Sequence, residues 1–364
     1  MDSSEKKRID SIDLLKGIAI YMVIVYHFNE IPINFLEENG FKVYFNLFLE
    51  SILSIGVPTF FFVNGFLQLN KKEIDVKQHF NKVLKLIILT VIWSGLTLLS
   101  LCFIRQESLS SLQFLKNLWF LKTNWNNHLW FLGTLVVIYI FFPLIHSVYQ
   151  TNKKTYYFFL AFVLLFTFGN TLIENALVTL SFLFNKFTNV DFELNYWGPF
   201  NPFRGIHAYS IGYFMLGGLS IKYVSEIKKQ RKIIPIVVIL LSMVFLWLYT
   251  IITSLRRGVL WDHVWNGYDM IFTLINVIAL FVITLNYQSK GIPGKFIRIL
   301  GKNSLGIYFL HVIIGSFLIP FFAQLKCAQT LWSNLIFAFV VLLCSLITTL
   351  GLKKVPVLKR LFEI

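Results

Sequence analysis

The chain has 364 residues, 56% hydrophobic and only 14% charged, with a mean hydropathy of +0.68. A soluble domain of this length is not so apolar, and the apolar residues come in runs of about 20. The net charge of +15 falls mostly in the linkers between those runs, which removes the need for a nucleic-acid partner, and Cys102, Cys327 and Cys344 lack the spacing of a disulfide framework or a zinc site.

Ten apolar segments are expected as helices, at about 12–32, 44–69, 83–104, 129–149, 155–175, 205–221, 233–254, 268–287, 304–323 and 331–352. The sixth and ninth are short and interrupted by Gly, Ser or His. With the N-terminus in the cytoplasm, the tails and the linkers after even-numbered spans carry 23 of the 33 Lys and Arg, counting Lys85 at the mouth of the third span. The linkers after odd-numbered spans carry 9. That asymmetry follows the positive-inside rule. It predicts an all-α, polytopic membrane bundle of about ten transmembrane helices, both termini cytoplasmic, forming one domain over 1–364. Lys6, Lys7 and Arg8 precede the first run as in a signal peptide, but the run is too long and no small-residue cleavage site follows.

The first run, Asp13–His27, reads D-L-L-K-G-I-A-I-Y-M-V-I-V-Y-H. Eleven residues separate Lys16 from His27, which on a helix is ~16 Å along the axis and within ~20° of one face. Asp13 lies three residues before Lys16, on the same side. Such a column facing a bundle interior is a functional-site candidate, because unpaired charge in a bilayer is costly. The plainer alternative has Asp13 and Lys16 as interfacial anchors, Lys16 snorkelling, and His27 as a buried polar contact.

The second run carries G-V-P-T-F-F-F-V-N-G-F (Gly56–Phe66), where Asn64 brings an amide into the bundle, either for a ligand or as glue between helices. The basic linker 70–82 suits either an interfacial helix on anionic headgroups or the rim of a pocket for a cytosolic anion. The fourth run opens N-N-H-L-W-F-L (Asn126–Leu132), putting His128 and Trp130 at the outer interface as a surface histidine and a belt aromatic, or as part of an outward-facing sugar site. Linker 176–204 is the longest and ends W-G-P-F-N-P-F-R; it is either a lid over one mouth of the bundle or a connector. Beyond it, P-F-R-G-I-H-A-Y-S (Pro202–Ser210) brings Arg204 and His207 in from the same side. The ninth run reads G-K-N-S-L-G-I-Y-F-L-H (Gly301–His311), in which Asn303 or Ser304 is expected to cap a helix start that, with Lys302, offers an anion site. Ser304, Tyr308 and His311 share one helix face.

These motifs in this order resemble the membrane-bound acyltransferase type-3 family over nearly the whole chain, with Lys16-x10-His27 standing as the family's basic-x10-His signature and Lys where Arg is commoner. Asn64 stands where that family more often has Ser. The resemblance implies a polytopic O-acyltransferase in the cell membrane that moves an acyl group, acetyl first, from cytoplasmic acyl-CoA (acetyl-CoA) to a cell-surface polysaccharide or its lipid-linked precursor, without a metal. It assigns His27 and Asp13 to catalysis and Lys16, Lys302 and Ser304 to the acyl-CoA. Asn64, His128, Trp130, Arg204, Tyr308 and His311 fall to the acceptor. A pantetheine arm is of the same order of length as the ~16 Å from Lys16 to His27, and His27 would act as general base or acyl carrier. The competing class is a transporter or flippase for a glycan or lipid-linked sugar, which polar stripes in a bundle also suit. A non-catalytic membrane scaffold is a third class.

Overall fold

A computed structural model describes residues 9–121, 125–188, 201–203 and 207–363, with only the backbone given at 186–188. Among them the chain is helical throughout, with no strand. In order the helices are α1 (Asp10–His27), α2 (Phe41–Glu50), α3 (Gly56–Gln68), α4 (Val76–Arg105), α5 (Ser111–Leu118), α6 (Trp130–Thr151), α7 (Lys153–Leu164) and α8 (Asn170–Thr188). They continue with α9 (Tyr209–Ser220), α10 (Val224–Ile227), α11 (Ile233–Arg257), α12 (Ile271–Thr284), α13 (Gly291–Ala323), α14 (Leu331–Leu352) and α15 (Pro356–Lys359).

Every expected apolar segment contains helix, though not each is by itself long and apolar enough to cross a membrane. Among the described residues, seven helices are long and apolar enough to cross a membrane: Phe41–Gln68, Val76–Arg105, Asn127–Thr151, Lys153–Asn185, Ile233–Arg257, Gly291–Ala323 and Leu331–Leu352. The other three fall short for separate reasons. Over its 18 residues α1 includes Asp10, Asp13 and Lys16, while α9 and α12 have only 12 and 14 residues against the ~20 that a bilayer needs.

Three local expectations are corrected. The helix expected from residue 304 begins instead at Gly291, so Gly301–Ser304 lies in mid-helix and offers no free N-terminus. Its polar residues bond back along the helix: Asn303 Nδ2 donates to the Ile299 carbonyl at 2.8 Å and Ser304 Oγ to the Gly301 carbonyl at 3.2 Å. Linker 70–82 is no separate interfacial helix, since α4 starts at Val76, capped by Asp75 through a 2.9 Å bond from Gln78 N. The connector expected from residue 176 is helical as far as Thr188.

α1 is the centre of the bundle, packed against α13, α3, α14 and α12. Leu15, Ala19, Ile20 and Ile24 on it have no exposed surface. α1 and α13 run parallel, with Asp13 beside Gly301 at one end and His27 beside His311 at the other. A Cβ on Gly301 would sit 2.6 Å from Asp13 Cα, so the helices touch there backbone to backbone. α3 and α9 make a similar contact, because a Cβ on Gly65 would fall 1.7 Å from the Phe214 carbonyl oxygen and one on Gly217 1.9 Å from that of Phe62. Small residues at such crossings let membrane helices gain dispersion contacts that lipid cannot supply.

Candidate active site

His27 is the last residue of α1, and the parallel α13 delivers His311 beside it. His311 Nε2 lies 3.2 Å from His27 Nδ1, with ring centroids 5.1 Å apart. On its other side, His311 Nδ1 lies 2.6 Å from the Tyr308 carbonyl oxygen. The turn Asn127–Leu129 ahead of α6 adds His128, whose ring meets His311 edge-on at 5.7 Å, and the Tyr308 hydroxyl donates to the His128 carbonyl. His128 Nε2 is buried with no hydrogen-bond partner among the described residues.

His311 has 0% exposure and His128 8%, yet His27 is exposed because a cavity of ≈ 410 Å³ opens onto it. Tyr26, His128, Trp130, Asp262 and Trp265 line that cavity with His27. Trp130 stacks on His207 at 4.0 Å and meets Trp265 edge-on at 5.3 Å. Beyond this aromatic wall lie two more hollows, of ≈ 720 Å³ and ≈ 320 Å³, both lined by His207 and Trp265. Asp262 accepts from the Tyr26 hydroxyl through Oδ2 and from the backbone N–H of Val264 and Trp265 through Oδ1. Those bonds fold the α11–α12 linker over His27.

The structure therefore brings His27, His128, Trp130, Tyr308 and His311 together. Of these, His311 has no exposed surface and stands behind His27, so its side chain is set back from the cavity rather than lining it as expected of the acceptor site. Tyr26, Asp262 and Trp265 were missed. Their one signal was an aspartate between two tryptophans (W-D-H-V-W, Trp261–Trp265) in a short outer linker.

Asp13 is 14 residues from His27, ~21 Å along α1, buried at 3% exposure against Gly301 and apart from the histidines. At that end Lys16 is half-buried and Lys302 exposed, while the Ser304 hydroxyl is occupied by the Gly301 carbonyl. Lys353 from the end of α14 joins them, donating to Asn303 Oδ1 at 2.8 Å. Arg298 pairs with Asp10 at 2.8 Å and holds its carboxyl below the usual carboxylate range. Asn64 is glue between α3 and α6, donating to the Phe60 carbonyl and accepting from the Tyr139 hydroxyl, each at 2.8 Å. Arg204 lies outside the described residues. No group of three or more His, Cys, Asp or Glu among the described residues is arranged to hold a metal ion.

Residues 9–351 match the family described as an acyltransferase domain. A protein of Staphylococcus aureus (strain COL) named "Putative O-acetyltransferase" is 23% identical over 349 residues, covering 87% of this chain and 52% of that protein. A protein of the same name from strain MSSA476 is 23% identical over 346 residues, covering 86% and 52%. The chain thus spans about half the length of the curated relatives it matches. No solved structure matches it.

Proposed function

This chain belongs to the acyltransferase family that its motifs resemble, and from that premise we propose that it transfers an acyl group, acetyl first, from acyl-CoA to a hydroxyl of a cell-surface glycan or its lipid-linked precursor. The observation that carries the proposal is His27: a histidine at the end of the central helix, backed by a second histidine and open to a cavity walled by Trp130 and Trp265. Aromatic faces suit the apolar faces of sugar rings, and the Asp262 carboxylate offers an acceptor for their hydroxyls. The cluster of Lys16, Lys302 and Lys353 at the opposite end of the α1–α13 pair suits the phosphates of acyl-CoA.

His27 acts as general base. It takes the proton of the acceptor hydroxyl as that oxygen bonds to the thioester carbonyl carbon. The C–S bond then breaks, and the proton passes to the departing thiolate. His128, with Nε2 unpaired, is placed to donate to the carbonyl oxygen as charge builds there. Both termini and the basic linkers face the cytoplasm, in the plasma membrane, so that donor and acceptor enter from opposite sides.

A transporter or flippase would also need polar groups within a bundle. Acetyl-CoA hydrolysis by purified protein without acceptor, absent in a transporter, separates the two. The acceptor is tested by NMR of surface glycans from cells with and without the protein. Loss of O-acyl signals in cells lacking it is expected, and identical spectra contradict the proposal.

A further inference from the structure

Two hydrogen bonds define the proton positions around His27. A carbonyl oxygen only accepts, so His311 Nδ1, 2.6 Å from the Tyr308 carbonyl, must carry a hydrogen. In a neutral imidazole the other nitrogen then holds a lone pair. That nitrogen, His311 Nε2, faces His27 Nδ1 at 3.2 Å, and one of the two must donate. The donor is therefore His27 Nδ1–H, which leaves His27 Nε2 without a proton. We infer that His311 is a positioning residue for His27, holding it in the Nδ1–H tautomer so that its basic nitrogen, Nε2, is the one free to meet the acceptor hydroxyl.

The inference rests on the acyl-transfer proposal for its kinetic consequence but not for its geometry. Three features make His311 suited to the role. It has no exposed surface, so it competes for no substrate. Its own orientation is fixed by the backbone of the same helix, one turn back. As a neutral ring it orients the base without adding a second charge to the site. When His27 Nε2 accepts the hydroxyl proton, the imidazolium keeps its Nδ1–H on His311 until the Nε2 proton passes to the thiolate. The role parallels that of the carboxylate in a Ser-His-Asp triad, which selects a histidine tautomer without taking the proton. Here a neutral ring does the selecting. The Val23 carbonyl, one turn back on α1, is a second acceptor beside the His27 ring and the natural rival for the same task.

The test uses the full chain, in membranes or nanodiscs, with 15N-labelled histidine. Seven histidines give few signals, and His27→Gln identifies the pair belonging to His27. In the wild type, at a pH where His27 is neutral, its proton is expected on Nδ1. In His311→Leu it is expected to shift toward Nε2, the tautomer that a neutral histidine side chain favours in water. A wild-type proton on Nε2 overturns the inference, and so does an unchanged tautomer in His311→Leu, which assigns the task to Val23. The kinetic counterpart is a fall in kcat of roughly 10- to 100-fold in His311→Leu, with KM for acyl-CoA and acceptor unchanged. His311→Gln, whose amide oxygen can accept from His27, should recover part of the loss. If both variants lose KM and kcat together, or the Leu variant turns over normally, His311 is only packing. Should the wild type transfer no acyl group at all, the functional proposal fails while the nitrogen signals still decide the tautomer.

Discussion

Gly301→Ala tests whether the contact at one end of α1 and α13 governs the chemistry at the other. The added Cβ would lie 2.6 Å from both Cα and Cβ of Asp13 and 2.7 Å from its Oδ1. Two of those atoms belong to or adjoin the backbone and cannot swing away. Ordinary contact begins near 3.4 Å, so the helices must part locally by about 0.8 Å. Overpacking of this kind costs roughly 1–3 kcal/mol. If the rigid helices carry the shift to the far end, the His27–His311 separation grows from 3.2 Å toward 4 Å, beyond hydrogen-bond reach. Misplacement on that scale is worth up to about 10²-fold in rate. Thermal unfolding in detergent and acyl transfer per molecule should therefore both fall in Gly301→Ala, while Lys302→Ala at the exposed neighbouring position keeps wild-type stability. Wild-type stability and turnover in Gly301→Ala would refute the idea that this contact sets the histidine geometry.

Three further outcomes are expected. Trp130→Ala removes the ring stacked on His207 at 4.0 Å and should raise the acceptor KM roughly tenfold, about the worth of one aromatic pair, with KM for acyl-CoA unchanged; equal effects on both substrates would place Trp130 outside the acceptor site. Lys16→Ala should weaken acyl-CoA binding, measured as its KM, while Lys16→Arg is tolerated; an unchanged KM in Lys16→Ala leaves snorkelling as the role of that side chain. A cysteine at Asn189 should be labelled from outside the cell and one at Lys229 should not, and the reverse pattern overturns the orientation.

Much of the site is visible in the linear pattern because α1 is regular. The Lys16–His27 spacing alone sets both on one face, and the polar stripe of α13 marks an interior helix. What the pattern misses comes from tertiary placement. His27 pairs with a residue 284 positions later, and Asp262 reaches Tyr26 across 236. No periodicity encodes such distances. The Gly-Lys-Asn-Ser stretch at 301–304 resembles a helix start because Gly, Asn and Ser favour ends. Here Gly301 serves the close approach of α1 instead, and Asn303 and Ser304 bond back within α13. The shortness of α12 is likewise invisible in hydropathy, since the apolar run at 268–287 extends past both ends of the Ile271–Thr284 helix, whereas that of α9 shows in the Gly and Ser residues that break the sixth run.

The central claim is that His27 is the base, and His27→Gln tests it most directly. Gln keeps a polar side chain of similar reach, so the variant should insert and bind acyl-CoA as the wild type does. Acyl transfer is measured in membranes and normalised to the amount of the protein. A loss of roughly 10²–10⁴-fold in turnover is expected, the usual contribution of a general base. Near wild-type turnover per molecule, with only the abundance reduced, would make His27 a packing residue and remove the mechanism.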